Sequence, residues 1–391
     1  MSEYSYKGKV VEIEGLRGIA ILLVTMHHFW PESSGFYEFF SPLVHLGWIG
    51  VDLFFVLSGF LIGGILLDTK QNSNYFKNFY IRRFLRIFPL YYLFVISLFI
   101  IVPFGQSLLH GIAYGQTEFI KESGSPLWYL LFLGNIREAI TGVEPAYFLA
   151  PLWSISIEEQ FYLLSPLLIY KATDRQLKIV LAVLICLSPL FRLTMFEYFP
   201  DNERMQYLAT ISRFDNLSAG LVLAMLVRSN YFVSKKLISS ALIVLSIAMA
   251  VIFSFDGFNR FTFFCRVFGY SMLALYFFTF VLWTIQNRGL AITALLRNKV
   301  LVYLGGLCYG LYLLQRPAEI LLLKSISIIG FDLELYPTLS LILKTLFAIL
   351  ISQIVWTTFE KPINNLKEKF KITNHPMDNS LHSITSREVK C

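Results

Sequence analysis

The chain of 391 residues is 56% hydrophobic and only 15% charged, where ordinary soluble domains carry roughly 25% charged residues, and its mean hydropathy is +0.61. With 37 Phe, 21 Tyr and long apolar runs recurring from Gly18 to Trp356, it reads as an all-α polytopic membrane protein, which excludes disorder, a secreted disulfide scaffold or a nucleic-acid-binding domain as the main body. The net charge of +7 is read first as topology, since Lys and Arg gather on cytoplasmic faces.

Runs of about 20 apolar residues predict ten transmembrane helices, near 15–33, 47–67, 86–104, 148–170, 178–196, 207–227, 237–254, 262–285, 300–323 and 337–358. With the N-terminus inside, 23 of the 33 Lys and Arg fall in cytoplasmic segments, so both termini are expected in the cytoplasm. The expected organisation is a cytoplasmic N-terminus at 1–14, a ten-helix membrane domain at 15–360 and a polar, disordered cytoplasmic tail at 361–391. The first apolar run has no basic leader or cleavage site before or after it and is expected to be a retained signal anchor. Cys186, Cys265, Cys308 and Cys391 show no paired spacing, so neither disulfide framework nor metal cluster is expected.

In chain order, the first span brings Arg17 near its start and His28 well inside. Eleven residues turn a helix about 20° past three full turns, which puts the two on one face about 16.5 Å apart. Such a pair could line one channel, a fixed cation suiting an anionic ligand and a histidine exchanging protons near neutral pH. The bland alternative is a snorkelling Arg and a core His. His27, about 100° away, is expected to face elsewhere.

The second span carries Asp52, which could orient a histidine or bind a hydroxyl, and Gly59 with Gly63, a small-xxx-small pair that lets helices approach closely. Before the third span stand Arg82, Arg83 and Arg86. The i, i+3 spacing of Arg83 and Arg86 aims two guanidinium forks at one target, for which phosphate is the natural anion; ordinary positive-inside anchoring is the alternative. The outer segment 105–147 includes a seven-residue apolar piece, Leu127 to Leu133, too short to span and expected to be re-entrant or interfacial.

The fourth span opens Trp153-Ser154-Ile155-Ser156-Ile157-Glu158-Glu159-Gln160-Phe161-Tyr162. Ser154, Glu158, Phe161 and Tyr162 share a helical face whose hydroxyl, carboxylate and aromatic groups suit a sugar; Glu159 points off it. Further along, Arg213 and Asp215 are expected to form a local ion pair, Arg266 has no evident partner, and Pro317 is expected to kink the ninth span.

Assembled, these residues resemble the membrane acyltransferase-3 family. The matching elements are the Arg-x10-His pair Arg17/His28, the GVDLFFVLSGF run at 50–60, the R-x-x-R element Arg83/Arg86, WSISIEEQFY at 153–162, and the CYGLYLLQRP and FEKP stretches. The resemblance implies a ten-helix O-acyltransferase in the cytoplasmic (inner) membrane of a bacterium. It would move an acyl group, acetyl first, from cytoplasmic acetyl-CoA to a hydroxyl of a cell-surface carbohydrate of lipopolysaccharide O-antigen, capsule or exopolysaccharide type, lipid-linked or not. It implies His28 and Arg17 as essential residues and Arg83 with Arg86 as a functional pair; the mechanism expected from the residues adds Glu158 and Asp52 to His28 as catalytic candidates, Arg17, Arg82, Arg83 and Arg86 as acyl-donor binders, and Trp153, Ser154 and Tyr162 as acceptor binders. Direct transfer and a covalent acyl-histidine are both compatible with these residues. No metal and no nucleic acid are expected; the partners are acyl-CoA, the carbohydrate and the bilayer. Two departures stand out: Gln315 occupies a position where the family often has histidine, and the appended periplasmic hydrolase-like domain of larger relatives is not seen, which leaves acceptor recognition to the outer loops. A proton-coupled transporter, or an acyltransferase acting on a non-carbohydrate small molecule, are the competing readings.

Overall fold

A computed structural model of the chain describes residues 10–31, 35–104, 122–229, 233–256 and 262–370. Among them every regular element is helical. The principal helices are α1 (Val11–Phe29), α2 (Phe36–His45), α3 (Ile49–Thr69), α4 (Tyr75–Phe104), α5 (Gly134–Thr141), α6 (Leu152–Lys171), α7 (Asp174–Tyr198), α8 (Phe214–Arg228), α9 (Lys235–Asp256), α10 (Tyr270–Gln286), α11 (Lys299–Ser327) and α12 (Pro337–Val355).

Long helices occupy all ten positions at which spans are expected. Seven helices among the described residues are long and apolar enough to cross a membrane, eight if the pair Ala291–Arg297 and Lys299–Ser327 counts as one broken span. The two that fall short are α1 and α6. They carry Glu12, Glu14 and Arg17, and Glu158, Glu159 and Gln160, so the same polar residues that make them functional candidates lower their apolarity.

Local chemistry sets several boundaries. Thr173 and Gln176 form a capping box that starts α7, the Asn298 side chain caps α11 through the Val300 amide at 2.8 Å, and Pro337 opens α12. Pro317 lies within α11, and a 48° bend separates that helix from the preceding turn Ala291–Arg297.

The bundle is built around α3, which packs on α1, α6, α8 and α10, while α1 packs along α11. The α3–α8 crossing is a backbone-to-backbone contact: a Cβ on Gly59 would meet the Leu217 carbonyl and come within 3.1 Å of Gly220 Cα. Gly63 faces Leu221 of the same helix, so the small-xxx-small pair does what its spacing predicts. The α9 helix instead exposes Ile243, Val244 and Ile247, as a lipid-facing helix should.

The piece from Leu127 to Leu133 is a single helical turn, Leu127–Leu130, followed by a turn. The Tyr91 and Tyr92 hydroxyls of α4 donate to its Tyr129 and Leu130 carbonyls at 2.9 and 3.1 Å, which pins the turn to α4. Residues 105–121 of the outer segment lie outside the described residues. Of the expected tail, 361–370 is helical and packs on α4; 371–391 lies outside the described residues.

Candidate active site

Two cavities lie along the axis of α1. The first, about 280 Å³, is lined by Arg17 of α1, Ser58 of α3, Arg83 and Arg86 of α4, Glu158 and Tyr162 of α6, and Cys308 of α11. The second, about 450 Å³, is lined by His27 and His28 of α1, Trp153, Tyr207 and Tyr270, with Glu138, Arg204 and Arg316 among its polar groups. Val51 and Tyr312 line both, so the arginine cavity and the histidine cavity meet at these two side chains.

The arginine cavity brings four separated sequence elements together. Arg17 donates from Nη1 to Glu14 at 3.0 Å and from Nη2 to the Cys308 sulfur at 3.1 Å, which ties the start of α1 to the middle of α11. Arg83 and Arg86 project from successive turns of α4 into the same space, as their spacing predicts. Their neighbour Arg82 does not line it. Its Nη1 lies 3.5 and 3.3 Å from the carbonyls of Lys367 and Phe370, so it anchors the segment after α12. Beyond the guanidinium groups the wall turns apolar, with Phe54, Phe55, Leu61 and Ile62. Such a cavity suits an elongated ligand with an anionic head and a neutral arm.

Of the expected acceptor residues, only Trp153 lines the histidine cavity. Ser154 and Tyr162 line the arginine cavity: Tyr162 shares a hydrogen bond with Ser58, and Ser154 bonds the Tyr312 hydroxyl at 2.7 Å, at the junction. The predicted helical face is therefore real, but it faces the arginines. Phe161 is buried and lines neither cavity.

The expected catalytic set separates in the same way. His28 lines the histidine cavity and Glu158 the arginine cavity. Asp52 lines neither; it is 1% exposed, and its Oδ1 accepts from Arg213 Nη1 at 2.9 Å. The expected local pair Arg213–Asp215 is replaced by an exchange: Arg213 takes Asp52, and Asp215 pairs with Arg192 of α7 at 2.9 Å. Arg266 finds Gln206, with the Pro200 carbonyl at 2.7 Å. His27, expected to face away, lines the histidine cavity beside His28, its ring 5.4 Å from His28 and 5.5 Å from His45. A helix end at Phe29 leaves both histidines in the last turn, so the cavity wraps around the terminus rather than one face.

Several site residues gave little sequence signal. The Arg213 guanidinium lies 3.8, 4.4 and 5.6 Å from the ring centroids of Tyr270, Tyr207 and Trp153, behind the aromatic wall of the histidine cavity. On the far rim Arg316 bonds the Tyr147 hydroxyl, which also donates to Glu319 at 2.5 Å, and Lys344 of α12 pairs with Glu319 at 3.0 Å. Glu360, in the FEKP stretch, is buried, and its carboxylate packs on Gly310, where a Cβ would come within 2.8 Å of Oε1. Gln315 is fully buried and donates to the Tyr312 carbonyl at 3.2 Å. Among the described residues no group of three His, Cys, Asp or Glu is placed to hold a metal ion.

Comparison with known proteins agrees with this architecture. A chain of Bacillus subtilis (strain 168) provisionally named peptidoglycan O-acetyltransferase YrhL is 28% identical over 370 residues, 90% of this chain and 54% of that one. Peptidoglycan O-acetyltransferase OatA of Listeria monocytogenes is 33% identical over 231 residues, 56% of this chain and 34% of that one. A chain of Acidianus two-tailed virus provisionally named acetyltransferase ORF330 is 27% identical over 301 residues, 77% of this chain and 80% of that one. The chain thus spans about half of the first relative and a third of the second. No solved structure matches. The family profile described as an acyltransferase domain matches residues 10–357, the stretch that holds both cavities, and the chain belongs to the acyltransferase-3 family.

Proposed function

We propose that the chain is a multi-pass membrane O-acyltransferase that takes an acyl group, acetyl first, from acetyl-CoA on the cytoplasmic side and delivers it to a hydroxyl of a cell-surface carbohydrate on the other. The observation that carries this reading is the pair of cavities joined at Val51 and Tyr312, one guanidinium-rich and one holding two histidines beside aromatic rings. Positive-inside charge supports cytoplasmic termini and a bacterial inner membrane as the location, with the arginine cavity opening inward.

Acetyl-CoA would supply an activated thioester. Arg83 and Arg86 would bind its phosphates, and the apolar wall beyond them would sheathe the pantetheine arm. Arg17, fixed by Glu14 and Cys308, stands deeper and would hold the head of the arm in line. The Ser154 and Tyr312 hydroxyls at the junction can donate to the carbonyl oxygen as negative charge develops there. His28 would remove the proton of the incoming sugar hydroxyl, and the coenzyme thiolate would leave with a proton from the site. Glu158, inside the arginine cavity, would act on the donor side, so its role shifts from orienting the histidine to setting the charge around the thioester. Among surface glycans, the relatives' names favour peptidoglycan over O-antigen or capsule.

The test is glycan mass spectrometry of cells with and without the gene, complemented by wild type and by His28→Ala. A mass loss equal to acetyl groups that only the wild type restores is expected. Unchanged glycans, with uptake of a labelled solute lost instead, would favour a transporter.

A further inference from the structure

The histidine cavity holds a buried carboxylate for which the mechanism above has no use. Glu138 sits in α5 and is 2% exposed. Its Oε2 accepts from Arg204 Nη1 at 3.2 Å, while Oε1 is buried and has no hydrogen-bond partner among the described residues. The Nη2 of Arg204 turns instead to Glu144 at 2.6 Å. A buried carboxyl oxygen without a donor is costly, a cost that a fold tolerates where a ligand supplies the donor.

What surrounds Glu138 indicates the ligand. Trp48, Trp153, Tyr207 and Tyr270 line the same cavity and offer flat apolar faces to the C–H side of a pyranose ring, while carboxylates and guanidinium groups address its hydroxyls. Three of these rings are fixed from behind by Arg213, itself locked by Asp52. The wall is thus rigid before any ligand arrives, which spares ordering entropy. The guanidinium groups on the wall are already engaged by carboxylates: Arg204 is shared by Glu138 and Glu144, and Arg316 pairs with Glu319 at 3.7 Å.

We propose that Glu138 is the hydrogen-bonding anchor of a saccharide seat in the histidine cavity, accepting a hydroxyl or amide N–H of an uncharged pyranose stacked on the aromatic wall. The seat deepens the acyltransferase reading by naming its acceptor as a neutral sugar unit and by placing a specificity-determining residue on α5, a helix that holds none of the matching sequence elements. An anionic sugar would find both guanidinium groups of the wall already paired and bind less well.

The experiment uses the full chain in lipid nanodiscs, with N,N′-diacetylchitobiose as the neutral probe and a uronic-acid-containing disaccharide as the anionic one. Quenching of tryptophan fluorescence, to which Trp48 and Trp153 contribute, reports binding; acetyl transfer from acetyl-CoA to the same sugar is followed in parallel. Saturable quenching by the neutral probe is expected, weakened about tenfold in Glu138→Ala, restored to within about threefold in Glu138→Gln, whose amide keeps an oxygen acceptor, and about tenfold weaker for the anionic probe. In transfer, Glu138→Ala should raise the sugar KM more than it changes kcat. Three results would overturn the seat: no saturable quenching by wild type, unchanged binding in Glu138→Ala, or equal losses in the Ala and Gln variants together with a lowered melting temperature, which would reduce Glu138 to an ion-pair partner of Arg204. Binding that follows the expected order without any acetyl transfer would keep the seat and sink the acyltransferase reading instead.

Discussion

Arg17 and His28 share one helix yet serve different cavities, and this division explains why each residue type stands where it does. Arg17 is restrained by an ion pair and a sulfur contact, a fixed charge rather than a titrating one, whereas His28 occupies the last turn of α1 at the edge of the larger cavity. His28→Ala should lower kcat at least about a hundredfold, the scale of general base catalysis, with the protein still inserted and monodisperse; near-wild-type turnover would end the general-base role. Arg83→Ala should instead raise the KM for acetyl-CoA about tenfold or more with a smaller effect on kcat, read from initial rates at saturating sugar. Asp52→Asn leaves Arg213 buried opposite a neutral group, and breaking such a pair costs about 3–5 kcal/mol. A thermal-unfolding assay in detergent should show a clearly lowered midpoint, and an unchanged one would mean that the aromatic cage alone holds Arg213. At α5, burial pushes the Glu138 carboxyl up to about 8, against the neighbouring Arg204 and Arg137 and with Glu144 adding to the rise. A carboxyl raised in the folded state contributes stability that is lost as pH rises from the ordinary carboxylate range to about 8. Melting temperature should therefore decline across that window in the wild type and decline less in Glu138→Gln.

At the scale of elements, helix spacing told more than helix identity. Ser154, Glu158 and Tyr162 share a face because 3.6-residue periodicity puts them there, and Gly59 with Gly63 meets α8 for the same reason. These relations lie within one helix and are legible in the sequence. The Asp52–Arg213 pair joins residues 161 apart, and the Arg316–Tyr147–Glu319–Lys344 chain joins α11, α12 and a loop; only the packing of the helices decides which charge meets which. For that reason the adjacent Arg213 and Asp215 suggested a local pair that the bundle replaces with two pairs across helices. The direction in which the Ser154 face looks was equally illegible, since periodicity fixes a face and not its neighbour. Gly59→Leu should prevent the α3–α8 contact, because a Cβ there would already meet backbone. Loss of folded protein in size-exclusion profiles is expected, and a well-folded, active variant would show that the crossing is not required.

For the molecule as a whole, the arrangement follows from composition and charge. Lipid-facing helices such as α9 are strongly apolar between charged ends, the polar residues of α1 and of the first half of α6 are largely buried, and the two cavities lie where those helices meet α3 and α11. Sidedness is the property on which every proposed role depends, since the donor must enter at the arginines and the acceptor at the histidines. The most direct measurement reconstitutes the purified chain into sealed vesicles whose orientation is fixed by selective labelling, with acetyl-CoA supplied to one face and a sugar acceptor to the other. Acetylated sugar is predicted only when acetyl-CoA is on the face of the arginine cavity and the sugar on the face of the histidine cavity. Product formed only when both are supplied to the same face, or sugar moved across the bilayer without acetylation, would contradict transfer through the joined cavities.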